Sequence, residues 1–235
     1  MLPKRIFDLC ITIPGIIFLL PFFLIIAVFI KIDSPGPVFF RQVRVGQYGR
    51  NFRIFKFRTM VAEAESMGSQ ITVGNDFRVT GWGRFLRKYK LDELPQLFNI
   101  VKGEMSLVGP RPEVPRYVAE YPKDIKEVVL SIPPGITDFA SIEFKDENEV
   151  LDSVVNSERV YIEQILPVKL GYYVRYARER TLWLDIKLIF KTFFAVFNLL
   201  PDPKRKAEQH VASASAMANG EKNISMDKKY FKHSS

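Results

Sequence analysis

The sequence predicts a mainly α fold with a small β-hairpin, in which an N-terminal re-entrant membrane helix and interfacial amphipathic helices carry a compact cytoplasmic domain. Three observations lead there. Leu9 to Ile30 holds no charged side chain over 22 positions, two aromatic runs flank Gly46-Gln47-Tyr48-Gly49, and apolar residues elsewhere recur at spacings of three and four. With 235 residues, 47% of them apolar, the chain can bury one sizeable core plus accessories. The expected division is a re-entrant membrane helix over 1–33, a domain with interfacial helices over 34–200, and a disordered polar tail over 201–235.

The first element is set by length and flanking charge. A run of 22 uncharged residues reaches about 33 Å as a helix, enough for a hydrocarbon core of about 30 Å. A straight crossing is therefore the simplest reading. A signal peptide fits less well, since the apolar run is long and no small-x-small cleavage site follows. Lys4 and Arg5 precede the run while Lys31, Arg41, Arg44 and Arg50 follow it, so the positive-inside rule draws both ends to the cytoplasm. Pro21 cannot donate to the carbonyl of Ile17, and Pro14-Gly15 is a second weak point. A kinked, re-entrant helix satisfies both facts.

Ser34-Pro35-Gly36-Pro37 stops the helix, and Val38-Phe39-Phe40 opens a strand that Asn51 to Phe57 answers across the Gly46-Gln47-Tyr48-Gly49 turn. This basic, aromatic hairpin either packs on the core or touches lipid. Glu63 to Met67 reads as helical, and Phe85 to Val101 as a stronger helix with Leu86, Leu91, Leu94, Leu97 and Phe98 on its apolar side and Gly103 as its stop. Gly109-Pro110-Arg111-Pro112 and Pro133-Pro134-Gly135 are loops stiffened by proline and opened by glycine. Over Thr181 to Leu200, the residues Leu182, Ile186, Ile189, Phe193, Val196 and Leu200 form one apolar face interrupted by Asp185, Lys187, Lys191 and Asn198. That pattern fits a helix lying in a membrane interface, or alternatively a buried core helix.

The net charge is +8, and Met1 to Met60 carry nine Lys and Arg against Asp8 and Asp33. Such a block suits nucleic acid, anionic lipid or phosphorylated substrates; the adjoining apolar run favours the bilayer, so no nucleic-acid partner is expected. Cys10 is the only cysteine, which excludes an intrachain disulfide and any cysteine cluster. His210 and His233 both fall in the polar tail, so Ser-His-Asp, Cys-His and His-ligated zinc sites lack core members. Chemistry must therefore come from carboxylates, Lys, Arg, Tyr or Ser.

Lys90-Leu91-Asp92-Glu93-Leu94-Pro95-Gln96 sets two adjacent carboxylates beside Arg87, Lys88 and Lys90. On one helix Asp92, Gln96 and Asn99 would share a face, with Glu93 turned about 100° away. Most Asp-Glu pairs are solvated helix surface. What distinguishes this one is the following Val108-Gly109-Pro110-Arg111-Pro112, where a preset loop would hold a guanidinium for bidentate phosphate contact.

Lys4-Arg5-Ile6-Phe7-Asp8, Phe55-Lys56-Phe57-Arg58-Thr59-Met60, Leu91 to Asn99 (LDELPQLFN), Lys102 to Pro112 (KGEMSLVGPRP) and Pro134-Gly135-Ile136-Thr137 closely resemble the bacterial sugar transferases called monotopic phosphoglycosyl transferases. The likeness covers roughly Lys4 to Phe197. It implies a transferase that moves a sugar 1-phosphate from a nucleotide diphosphate sugar, expected to be a UDP-sugar, to polyprenyl (undecaprenyl) phosphate. Asp92 would be the nucleophile of the catalytic pair and Glu93 its partner, with Mg²⁺ held at Asp92 and Glu93. Substrate-binding residues carried over are Lys56, Arg58, Arg87, Gly109, Pro110, Arg111, Pro112 and Thr137, and Leu20-Pro21 falls at the family's membrane kink. The implied location is the bacterial cytoplasmic (inner) membrane with the site on its cytoplasmic face; oligomeric state is open, a homodimer being one option. Asp138 to Lys145 departs from the Gly-Trp-Ala-Gln-Val-Asn-Gly-Arg that follows this motif in many members, so donor contacts there do not transfer. A membrane-anchored scaffold would leave the Asp-Glu segment without a purpose, while a Mg²⁺-dependent pyrophosphatase or phospholipid phosphotransferase would use the same carboxylates.

Overall fold

A computed structural model describes residues 2–67, 76–144 and 157–196, so the tail expected over 201–235, Leu200 and Lys145 lie outside the described residues. The chain is mainly helical. Helix α1 (Leu2–Asp33) is one element of 32 residues with Pro14 and Pro21 inside it. A turn of the chain at Leu20-Pro21 would thus be a bend within a helix rather than a break between two. Its mid-section is bare, with Ile17, Phe18, Leu24 and Val28 exposed, and it is long and apolar enough to cross a membrane.

Both ends of α1 are nevertheless bonded to the same folded body. Near the start, Lys4 pairs with Asp185 at 2.7 Å, Arg5 donates to the carbonyls of Ile100 and Val101, and Asp8 accepts from Ser106 Oγ at 2.8 Å. Near the finish, Phe23, Ile26 and Ile30 pack with Phe57 and Leu86, and Asp33 accepts from the Trp82 amide at 3.1 Å.

The hairpin forms as the sequence predicts. Strands β1 (Phe39–Val45) and β2 (Asn51–Phe57) pair antiparallel in a register running from Phe39 opposite Phe57 to Val45 opposite Asn51. A 3₁₀ turn over Gln47–Gly49 joins them, with Tyr48 and Gly49 both at positive φ. Phe52 and Ile54 face one core cluster while Arg53 between them is exposed, and Phe57, on the other face, packs against α1. Glu63 to Met67 contributes only a 3₁₀ turn, Ala64–Met67.

The single helix expected over Phe85 to Val101 is instead two. Helix α2 (Gly81–Lys88) is capped by Thr80, whose Oγ1 accepts from the Gly83 amide at 3.0 Å. Lys90 then takes a left-handed conformation at φ 55°, a 3₁₀ turn covers Leu91–Glu93, and α3 (Gln96–Lys102) starts after Pro95. A left-handed residue cannot continue a right-handed helix, so the apolar periodicity runs across a corner. Gly103 at φ 82° ends α3, as expected from the sequence.

Strand β3 (Ser106–Val108) pairs in parallel with β4 (Gly135–Thr137), a ladder the sequence reading lacks. The chain also forms α4 (Pro115–Ala119), α5 (Lys123–Leu130), α6 (Phe139–Glu143) and α7 (Ser157–Val160), of which α6 packs on β4. A π-helical turn over Tyr161–Ile165 leads from α7 into α8 (Leu166–Glu179), and α9 (Leu182–Val196) follows. The largest core cluster joins Tyr117, Val118, Tyr121 and Val129 to Ile165, Leu170 and Tyr173 of the α8 region.

The ladder depends on two glycines. A Cβ on Gly135 would lie 2.1 Å from the Gly109 amide nitrogen, and one on Gly109 would lie 2.5 Å from the Pro133 carbonyl oxygen. Gly135→Ala is therefore expected to cost about 3 kcal/mol, read as a fall in thermal midpoint of about 6–12 °C. An unchanged midpoint would mean that the two loops do not meet this closely.

Helix α9 departs from the expected face of Leu182, Ile186, Ile189, Phe193 and Val196. Its buried residues are Asp185, Leu188 and Ala195, whereas Leu182 and Phe193 are exposed together with Trp183, Phe190 and Phe194. Apolar residues thus occupy both the side that packs and the side that does not. Asp185, which breaks the apolar pattern in sequence, is among the most buried groups of the helix, held by Lys4 and by Tyr176 Oη at 2.7 Å.

Candidate active site

Asp92 and Glu93 stand on the 3₁₀ turn between α2 and α3, not within a longer helix. The left-handed Lys90 aims that turn at β2, and the bonds between the paired loops carry Arg111 to it from the other side. Gly109 donates to the Thr137 carbonyl at 3.0 Å and Gly135 donates to that of Pro110 at 2.9 Å, so the Gly-Pro-Arg-Pro loop is laced to the loop before β4. Arg44 donates to the Pro112 carbonyl at 3.1 Å and fixes the far end.

These supports bring three charged groups together. Lys56 Nζ lies 2.7 Å from Glu93 Oε1, and Arg111 grips Glu93 through both terminal nitrogens, Nη1 to Oε2 at 3.1 Å and Nη2 to Oε1. The Arg111 fork assigned to phosphate is therefore closed on Glu93 here. Only two of its five N–H donors are used, and its side chain keeps 33% exposure, so donors remain for an incoming oxyanion.

The adjacent carboxylates have opposite surroundings. Burial pushes Glu93 up, but Arg111 and Lys56 outweigh it and hold Glu93 well below the ordinary glutamate value. Burial raises Asp92, with Lys56 and Arg87 opposing and Glu93 reinforcing the rise. Asp92 is buried, yet among the described residues its carboxylate has no hydrogen bond or ion pair. Burial also lowers Lys56 and Arg87 against the attraction of the carboxylates. One carboxylate is a fixed anion and the other is uncommitted.

Arg87 is brought to the site: its Nε donates to Thr59 Oγ1 at 2.8 Å, and Asp92 is the carboxylate that attracts it most strongly. The position of α2 depends on Gly83, since a Cβ there would lie 2.1 Å from the Thr59 carbonyl oxygen. Two other residues expected at the substrate make hydrogen bonds within the protein. Arg58 is spent on the end of α1, donating to the carbonyls of Pro35 at 2.9 Å, Ser34 at 2.5 Å and Ile30 at 3.3 Å. Thr137 hydrogen-bonds Thr192 of α9 at 2.5 Å. Both placements answer a local need: helix-end carbonyls require donors, and a buried hydroxyl requires a partner.

Sequence reasoning missed a buried layer behind Arg111. Glu113 accepts from Tyr161 Oη at 2.6 Å, lies 3.4 Å from Lys169 Nζ and 3.7 Å from Arg44 Nη1, and is held below its ordinary value despite burial by those two cations. The Pro112-Glu113 step gave one signal, an acidic residue directly after a stiff loop. Asn99 was noted only as a neighbour of Asp92. Its amide clamps α3 to β2, accepting from Phe55 N at 2.8 Å and donating to Arg53 O at 2.9 Å.

Among the described residues no three His, Cys, Asp or Glu side chains gather as a metal cage. Mg²⁺ commonly uses one or two carboxylates together with substrate phosphates. The unbonded carboxylate of Asp92 and the singly bonded Oε2 of Glu93 form a donor set of that kind.

Comparison with known proteins gives the chain its relatives. Residues 1–199 match the family described as bacterial sugar transferase. The chain is 38% identical over 191 residues to the UDP-N-acetylgalactosamine-undecaprenyl-phosphate N-acetylgalactosaminephosphotransferase of Aeromonas hydrophila, covering 80% of this chain and 42% of that protein. It is 38% identical over 198 residues to the UDP-glucose:undecaprenyl-phosphate glucose-1-phosphate transferase of Escherichia coli K12, covering 83% and 40% respectively. For the undecaprenyl-phosphate galactose phosphotransferase of Salmonella typhimurium the identity is 34% over 205 residues, covering 80% and 39%. The chain thus spans about two fifths of the length of these relatives, and their names cover three different sugars.

Proposed function

The chain belongs to the bacterial sugar transferase family, and from that premise we propose that it transfers a sugar 1-phosphate from a UDP-sugar to undecaprenyl phosphate at the inner membrane. The observation that carries the mechanism is the contrast within the pair, with Glu93 locked between Arg111 and Lys56 and Asp92 unbonded. Environments that drive two carboxylates apart divide their roles.

In this mechanism an Asp92 oxygen attacks the sugar-linked phosphorus of the donor. The bond from that phosphorus to the bridging oxygen breaks, the nucleoside monophosphate leaves with the electron pair, and an aspartyl-phosphosugar remains. A phosphate oxygen of undecaprenyl phosphate then attacks the same phosphorus and releases the Asp92 carboxylate, giving undecaprenyl-diphosphate sugar. Lys56, Arg87 and Arg111 surround the phosphates with positive charge, and Glu93 holds two of those cations in place. Mg²⁺ held by Asp92 and Glu93 with the donor phosphates would supply further charge neutralisation.

A membrane substrate accounts for the bare apolar surfaces of α1 and α9. The bonds from both ends of α1 to one body support re-entrance, with both flanks on the cytoplasmic face, over a crossing. Cysteine labelling in intact cells tests this, with Cys10→Ser as background and single cysteines near Lys4 and Lys31. Neither end should label from outside, and external labelling at one end alone would sink the re-entrant reading.

The activity itself is tested by offering UDP-glucose, UDP-galactose and UDP-N-acetylgalactosamine to the purified protein with undecaprenyl phosphate. Release of UMP with formation of lipid-linked sugar is expected for at least one donor. Inorganic phosphate as the product would point to a pyrophosphatase, and no turnover of any kind to a scaffold.

A further inference from the structure

The strand that delivers Arg111 is three residues long and, among the described residues, is paired in the sheet with β4 alone. In a strand successive N–H groups alternate sides, so the Leu107 amide, between residues paired to β4, points away from that partner. It is satisfied by α1: Asp8 Oδ1 accepts from Leu107 N at 3.3 Å, and Asp8 Oδ2 accepts from Ser106 Oγ at 2.8 Å. At the end of the strand, Tyr176 Oη lies 3.0 Å from the Val108 carbonyl oxygen and 2.7 Å from Asp185 Oδ1. Lys4 joins the two halves, 2.7 Å from Asp185 and 3.8 Å from Asp8. Asp8, Asp185 and Tyr176 are all buried. None of them reaches the Asp92-Glu93 pair, and Arg111 lies three residues beyond Val108.

We infer that the first turns of the membrane helix are part of the donor site. Asp8, with the Lys4-Asp185-Tyr176 chain, is a positioning group that sets β3, and through it Arg111, so the grip on donor phosphate is built on α1. This inference rests on the reading of Arg111 as a donor-phosphate contact. Asp8→Asn tests it with little change of volume: one acceptor oxygen becomes an NH₂ that faces a donor. Tyr176→Phe is a second, gentler probe, removing one hydroxyl and leaving the ring in the core.

The experiment uses the full chain in bilayer nanodiscs with whichever of UDP-glucose, UDP-galactose and UDP-N-acetylgalactosamine the wild type turns over. Displacement of a positioned group is expected to raise the donor KM about tenfold in Asp8→Asn, with the undecaprenyl phosphate KM unchanged. In an Arg111→Lys background the same substitution should have less than about a twofold effect, because groups acting through one another are not additive. Hydrogen exchange at the backbone amides of 106–111 should rise in both Asp8→Asn and Tyr176→Phe. An unchanged donor KM, an equal loss in both backgrounds, or exchange at 106–111 identical to wild type would each overturn the inference. A wild type that turns over none of the donors would overturn the proposed function instead, and the exchange measurement would still decide whether α1 holds the strand.

Discussion

Asp92→Asn is expected to abolish transfer, with kcat falling by several orders of magnitude while membrane insertion and fold are retained. The amide matches the carboxylate in shape, so the loss would report the missing anionic oxygen. Because Asp92 is buried without a hydrogen bond or ion pair among the described residues, the substitution breaks no contact there, and the thermal midpoint should hold or rise slightly. The wild type, given radiolabelled UDP-sugar and no lipid, should retain label on the protein with one UMP released per label. Added undecaprenyl phosphate should then carry the label into the lipid phase. Ternary-complex kinetics with no labelled protein under rapid quench would favour direct attack by the lipid phosphate.

Glu93→Gln is expected to fail differently, in stability as well as rate. It removes the common anion of Arg111 and Lys56 and leaves two largely enclosed cations facing each other. Breaking such a pair costs about 3 kcal/mol, the low end of the range for buried ion pairs because Arg111 is a third exposed. The thermal midpoint should fall by about 6–12 °C, and turnover by about a hundredfold or more through loss of phosphate positioning. Adding Lys56→Met should recover part of the stability and none of the rate, since it relieves repulsion without restoring the clamp. A Glu93→Gln protein with wild-type midpoint and rate would show that the three-way pairing is idle.

The hairpin and the long first helix were legible because each repeats a short-range pattern over many residues. The corner between α2 and α3 was not, because Lys90 adopts a left-handed conformation with no glycine or asparagine to announce it. Nor was the parallel ladder of β3 and β4, since three residues are too few to display a period of two. Asp185 was misread for a more instructive reason. A charge in an apolar helix looks like an interruption in sequence, and only the fold supplies Lys4, far back in the chain, as its counter-ion.

The candidate site divides in the same way. Asp92, Glu93 and Arg111 were legible through motifs and the family they resemble. That Arg111 closes on Glu93 was not, because the contact depends on two glycine backbones meeting across the ladder. Arg58 and Thr137 sit within the same motifs, but the bonds they make inside the protein were not legible, since a motif says that a residue is needed without saying for what. One is spent on helix carbonyls and the other on a hydroxyl of α9.

The bond between Lys4 and Asp185 spans 181 positions of the chain, and this separation bears on how the protein is made. At about 5–20 residues per second, the ribosome needs about 10–40 s after producing Lys4 to produce its partner. Throughout that interval the apolar helix has been made while the body that binds its ends is still incomplete. On the re-entrant reading proposed above, the lysine and arginine charges beside the helix guide its placement early, and the bond to Asp185 secures it only later. On that reading, a nascent chain that placed Lys4 across the bilayer in the meantime would be parted from Asp185 and could not correct the error by folding.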